Sequence, residues 1–236
     1  MDEDIQTSPK ENNFLLPASI IIAALMISGS VVYLVKSGNS GGNGKISAGD
    51  QTAQVAKETP KISERDVVLG DPNAPVSFIE YGDYQCPFCG RFFEQVEPPL
   101  RDAYIKTGKV KMVFRNFAFL GPESLAAAEA TECAKDQNAF WVYHDALYTA
   151  EIRDGKENNG NLIRDLFLKL ANDLHLDANT FAACLDSKKY ADQVEADVAH
   201  AQSLGVNSTP TTFINSKIFE GALPYAQFKA AIDSFL

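Results

Sequence analysis

Val76-Ser77-Phe78-Ile79-Glu80-Tyr81-Gly82-Asp83-Tyr84-Gln85-Cys86-Pro87-Phe88-Cys89-Gly90-Arg91-Phe92-Phe93 is the stretch on which the fold turns. Its first six residues form a short apolar run suited to a buried strand. Beyond Cys86 the period changes. Phe93, Val96, Leu100 and Tyr104 fall on one helical stripe, which Pro98-Pro99 should kink or interrupt. Cys86-Pro87-Phe88-Cys89 therefore sits where a strand hands over to a helix. A helix N-terminus carries about half a positive charge and unpaired N–H groups, which favour a thiolate over a thiol. Cys86 is then the candidate nucleophile, and Cys89, one turn inward, the buried resolving thiol. Pro87 lacks an N–H that would be unpaired there anyway and pre-sets φ for the first turn.

Outward from this stretch, residues 110–114 read as a second strand. Residues 211–214 and 218–220 read as a hairpin around Asn215-Ser216, and 225–236 as a closing helix. Between 117 and 209 lie about 90 residues, far beyond an ordinary loop. They read as helices over 125–134, 139–150, 162–174, 179–185 and 190–204. The order predicts an α/β domain over 64–236 with a helical insertion at about 118–205. Trp141, Phe140, Tyr143 and Leu147, at helical spacing, read as core. His144 reads as a packed or capping side chain, and His175 and His200 as surface residues.

The chain has 236 residues, 45% hydrophobic and 22% charged, with 21 Lys+Arg against 31 Asp+Glu and a net charge of -10. That composition excludes a disordered or collagen-like chain, and the acidity argues against a nucleic-acid partner. Four Cys are too few for a disulfide scaffold. After an acidic tail, 1–13, residues 14–35 are uncharged and mostly apolar. As a helix they would extend about 33 Å, enough for a hydrocarbon core of roughly 30 Å. A signal peptide would have a basic leader and a shorter apolar region. The expectation is an uncleaved single-pass membrane anchor. Flanking charge leaves its orientation open, with Lys10 on one side and Lys36 and Lys45 on the other. Residues 36–63, polar and rich in Gly and Ser at their start, read as a flexible linker.

Three readings of Cys86 and Cys89 stand: redox exchange, an inert bridge, and half of a zinc site. Against the last, the chain has no second Cys-x-x-Cys, and its three His show no ligand spacing. No metal or cofactor is expected, and the motif beside a strand–helix unit favours exchange. Ser208-Thr209-Pro210-Thr211 places a proline directly before a strand. It is either an ordinary edge-strand proline or a cis one that sets the Thr209 backbone beside the thiols. There an extended substrate segment could add by strand pairing. Glu80 shares a strand face with Phe78. It is either a buried acid, with raised pKa, relaying a proton to Cys89, or an acid at the sheet end reaching solvent.

The segment Glu80–Cys89 resembles the active-site segment of DsbA-type thiol–disulfide oxidoreductases of the thioredoxin superfamily. Cys133-Ala134-Lys135-Asp136-Gln137-Asn138-Ala139-Phe140-Trp141-Val142-Tyr143-His144-Asp145-Ala146-Leu147 and the Thr209-Pro210 stretch are similar to it as well. The resemblance covers about residues 66–236 and is closest to membrane-anchored bacterial members. It implies a thioredoxin fold with an inserted helical domain, a cis Thr209–Pro210 bond, Cys86 as the attacking thiol, and Glu80 as the buried acid. It also implies a second disulfide in the insertion, for which Cys133 and Cys184 are available; in a reducing cytosol both would be free. Pro87, Phe88, Thr209 and Pro210 are the expected substrate-binding residues. The expected partners are unfolded exported proteins, and a membrane quinone reductase of the DsbB or VKOR type would reoxidise the enzyme at the extracytoplasmic face. Phe88 departs from the His of the strongest oxidants and points to a milder oxidant. Reductase or isomerase action, and a non-catalytic envelope-binding module, are the competing functions.

Overall fold

The structure is a computed structural model and describes residues 54–56, 58–152 and 156–236. The expected tail 1–13, the span 14–35 and most of the linker 36–63 lie outside the described residues. Among the described residues, no helix is long and apolar enough to cross a membrane.

The apolar run is strand β2, Val76–Gly82, and its parallel neighbour is β3, Val110–Asn116. A parallel pair needs a crossover. It is supplied by helix α1, Pro87–Gln95, a short α2, Glu97–Leu100, and a π-helical turn, Arg101–Ile105. The break at Val96 is the expected effect of Pro98 and Pro99, which cannot donate the backbone hydrogen bonds that would continue α1. On the other side of β2 runs β4, Thr211–Ile214, antiparallel to it, and beyond that β5, Lys217–Glu220, antiparallel to β4. Asn215, with φ 48°, makes their tight turn. A two-residue strand β1, Gln54–Val55, closes the order β1-β5-β4-β2-β3. This strand falls in the stretch read as linker. Both its side chains are exposed and it joins the sheet through its backbone, so no apolar period marks it. β3 runs two residues past its expected end because Arg115 and Asn116 are polar. Arg115 is held there by Asp66 (2.8 Å) and the Tyr81 hydroxyl (2.8 Å).

Between β3 and β4 stand the inserted helices: α3 Pro122–Lys135, α4 Phe140–Glu151, α5 Arg164–Asp173, α6 Ala178–Asp186 and α7 Ala191–Ser203. The last helix, α8 Tyr225–Asp233, presses Phe228 against Phe78, Phe92 and Phe219 on one face of the sheet. The insertion is not a separate lobe. Phe140, Tyr143, Leu147, Phe167 and Phe181 form one apolar cluster with Tyr84, Cys86, Cys89 and Phe114. Trp141 is only half-buried, and its indole N–H donates to the Val67 carbonyl at 3.0 Å. A disulfide joins Cys133 on α3 to Cys184 on α6 across 51 residues. His175 and His200 are exposed.

Closing a loop of that length removes chain entropy from the unfolded state worth about 4 kcal/mol. The double variant Cys133→Ala/Cys184→Ala should lose roughly that stability in urea unfolding. Unchanged stability, with both thiols alkylated in unreduced wild-type protein, would remove the bridge from the account.

Candidate active site

The β2–α1 loop has to turn tightly so that a thiol stands at the first turn of α1. Gly82 permits this, since a Cβ there would lie 2.4 Å from the Phe114 ring and 3.0 Å from the Tyr148 hydroxyl. Asp83 then fixes the loop. Its buried carboxylate accepts from the Gln85 N–H (2.9 Å), the Ser124 hydroxyl (2.7 Å) and the Phe119 and Leu120 N–H groups (3.0 and 3.2 Å). Burial outweighs these bonds and raises its pKa. Cys86 is the N-cap of α1 in extended conformation, with Pro87 in the first turn. The Gly90 N–H donates to the Cys86 carbonyl at 3.0 Å.

The two cysteines share a helix turn but not an environment. Cys86 keeps 7% of its surface exposed and Cys89 none, so only Cys86 offers its sulfur to a second molecule. Both are free thiols. The neighbouring Cys89 thiol is the largest influence on Cys86. Thr209 and the N–H groups of Cys89 and Phe88 add to it, and against the opposing effect of burial the Cys86 thiol is lowered to about 6. Cys89 moves the other way. Burial, then the neighbouring Cys86 sulfur and the charge of Glu80, push its thiol well above the usual range.

Thr209 and Pro210 come to the same place from the other end of the chain. Their peptide bond is cis, and the Cys86 S–H, when protonated, donates to the Thr209 carbonyl at 3.5 Å. Phe88 is 52% exposed beside the pair, with the Arg91 guanidinium 5.2 Å from its ring centre. A cavity of about 220 Å³ opens along the other flank of Cys86, lined by Tyr84, Gln85, Pro87, Arg91, Tyr148 and Ile152. Glu80 lies within the sheet, fully buried, and neither carboxylate oxygen has a hydrogen-bond partner. Burial, then the Glu97 carboxylate, raises its pKa well above the carboxylate range, while Arg101 acts against them.

Glu97, Arg101, His144 and Asp145 form a charged group behind the thiols that the sequence did not reveal. Arg101 bonds Glu97 at 2.6 Å and Asp145 at 2.7 and 2.8 Å. Glu97 follows the helix break, and His144 reads as core by spacing, so neither advertised a charge network. The same guanidinium crosses both carboxylates, so this is an ion-pair network and not a cation site.

Residues 62–234 match the thioredoxin family. The probable disulfide bond formation protein D of Bacillus anthracis is 30% identical over 234 residues, covering 96% of this chain and 99% of that protein. The crystal structure of oxidised BdbD from Bacillus subtilis superposes with a TM-score of 0.69 at 31% identity, over 77% of this chain and 97% of that one. Wolbachia pipientis alpha-DsbA1 gives a TM-score of 0.66 at 27% identity, over 74% and 92%.

The folded pKa of Cys86 lies below its unfolded value. Thiolate stabilisation of the reduced protein is therefore fully present above the ordinary thiol range near 9 and is lost as pH falls through about 6. The disulfide form has no such group at this position. The stability of reduced relative to oxidised protein should rise as pH rises through that window, measured by paired denaturant titrations. A difference independent of pH would place the Cys86 pKa elsewhere.

Proposed function

The chain belongs to the thioredoxin family as a protein thiol–disulfide oxidoreductase of the DsbA type, and from that premise we propose that it works in the oxidising direction on exported proteins. The observation that carries the reading is the asymmetry of the pair. A thiol lowered to about 6 stands at the surface over one raised well above its usual range. A stable Cys86 thiolate favours the reduced enzyme, and what stabilises the reduced enzyme makes its disulfide a better oxidant.

In this reading a substrate thiolate attacks Cys86 Sγ of the Cys86–Cys89 disulfide. The S–S bond breaks, Cys89 departs with its electron pair, and the neutral Glu80 carboxyl supplies its proton. The second substrate thiolate then attacks the substrate sulfur of the mixed disulfide. Cys86 leaves as a thiolate, and the substrate is released with its own disulfide, oxidised by two electrons. The substrate's extended backbone lies against Thr209 and Pro210, and its apolar side chains meet Phe88 and the cavity on the other flank of Cys86. Membrane anchoring through 14–35, an extracytoplasmic domain and reoxidation by a DsbB- or VKOR-type quinone reductase belong to this proposal. They are supported by the apolar run and by the oxidising chemistry. Cys133–Cys184 serves stability in the same oxidising setting.

Oxidative refolding of a reduced, denatured substrate protein tests the reading. Oxidised wild type should accelerate disulfide formation and Cys86→Ala should abolish it. Acceleration that survives in Cys86→Ala would end the mechanism. Phe88→His should lower the Cys86 pKa further, by placing an imidazolium donor beside the sulfur, read as thiolate absorbance against pH. An unmoved titration would show that the spacer side chain does not face the thiolate.

A further inference from the structure

A buried carboxyl that hands its proton to Cys89 has to be recharged. While a substrate is joined to Cys86, the mouth of the site is covered. The structure contains another way out. Eight buried side-chain polar atoms among the described residues lack a hydrogen-bond partner. They are Glu80 Oε1 and Oε2, Glu97 Oε1, His144 Nε2, Arg101 Nε, Tyr84 OH, Thr209 Oγ1 and Thr212 Oγ1. An unpaired buried polar group is costly, so such groups are ordinarily rare and scattered. Here every one belongs either to the thiol site or to the charge network behind it.

The network has a direction. Glu80 on β2 faces Thr212 across β4 and Phe114 across β3. The charges that act on it come from Glu97 on α2, Arg101 on the π-helical turn and Cys86 on α1. Glu97 in turn meets His144 on α4, with Oε1 and Nε2, both unpaired, 4.0 Å apart. That is one small side-chain adjustment from a hydrogen bond. The other ring nitrogen, His144 Nδ1, lies 3.0 Å from Asp145 Oδ1. Asp145 is 38% exposed, and with Glu97 and Arg101 it lines a surface depression of about 420 Å³, whose lining residues do not include Cys86. Rings of Tyr84, Phe93, Phe114, Phe140, Trp141 and Tyr148 surround the imidazole, so the line from Glu97 to Asp145 is walled by apolar groups. The remaining ionisable neighbours, Tyr84 and Tyr148, are both raised well above the usual phenol range by burial and stay neutral. Arg101 holds the two end carboxylates, Glu97 and Asp145, in place.

We propose that Glu97, His144 and Asp145 carry protons between Glu80 and solvent on the flank of the domain, so that Cys89 is protonated while substrate covers Cys86. The imidazole accepts at one nitrogen and releases at the other, which suits it to the middle of such a line. Over one cycle the enzyme disulfide gains two electrons, and the substrate dithiol loses two electrons and two protons. Cys89 takes one proton from Glu80, and Asp145, His144 and Glu97 restore it from solvent. Cys86 remains a thiolate, and one proton is released net. This rests on the oxidoreductase reading and assigns a further task within it.

The test is the rate at which dithiothreitol reduces the oxidised full-length protein, followed by the fluorescence of Trp141, the chain's one tryptophan. Measured against pH, Glu97→Gln should be slowed about a hundredfold or more, the lower end of general acid–base effects. Its rate should become dependent on the concentration of a small acidic buffer, which delivers protons in place of the missing carboxyl. A merely structural role would lower stability without creating buffer dependence. A Glu97→Gln rate within about twofold of wild type, or slowed with no buffer dependence and an unshifted pH profile, would overturn the path. Should that variant not fold, wild type in mixtures of light and heavy water answers the same question. A curved dependence on deuterium content, from several protons moving together, is expected, and a linear one or none would overturn the path. Wild type that cannot be reduced through Cys86 at all would instead contradict the oxidoreductase reading.

Discussion

One constraint organises this molecule: a buried thiol, Cys89, lies one turn inside Cys86 at the start of α1 and lowers it. For that neighbour to favour a thiolate at Cys86, Cys89 must stay protonated, and therefore must be dry. The rest of the fold meets this requirement. The insertion's aromatic core closes over Cys89 and leaves it no exposed surface. Helix α1 directs its first N–H groups at Cys86. The two sulfurs are chemically alike and differ only in what surrounds them.

Ionisable groups also lie inside this otherwise apolar centre. Glu80 and Glu97 are both raised by burial, with each other's charge or nearby carboxylates acting in the same direction. Arg101 offsets part of that cost through Glu97 and Asp145. A bare pair of buried acids would be a liability; Glu97 is tied to an arginine that reaches a partly exposed aspartate, while Glu80 has no hydrogen-bond partner. The acidity of the whole chain has no part in this arrangement, and nothing in the structure explains it.

Much of the fold was legible because its elements are strongly patterned. The apolar run of β2, the helical stripe after Cys86 and the five helices of the insertion all carry a clear period, and they appear within a few residues of their expected ends. β1 was not legible, since two exposed residues joining through their backbone leave no side-chain signal. The polar end of β3 was missed because Arg115 looks like a loop residue until Asp66 is seen beside it. At the site, Cys86 and Cys89 announce themselves by spacing, and Thr209-Pro210 by its place before a strand. Sequence could not decide whether Glu80 faced inward; its complete burial does. Glu97, Arg101 and His144 were hidden for a different reason. Glu97 and Arg101 lie one turn apart, but their partner Asp145 stands 44 residues beyond Arg101, and His144 sits at a spacing that also describes an ordinary core position.

The central claim is that the surroundings of Cys86 stabilise the reduced enzyme and so make its disulfide oxidising. The reduction potential of the Cys86–Cys89 couple, from equilibrium with glutathione, measures this directly. The account predicts a value clearly above thioredoxin's roughly −270 mV and, with Phe88 in place of a histidine, below the roughly −120 mV of the strongest oxidants. A potential at or below about −270 mV would contradict it, because the thiolate at Cys86 would then confer no oxidising power.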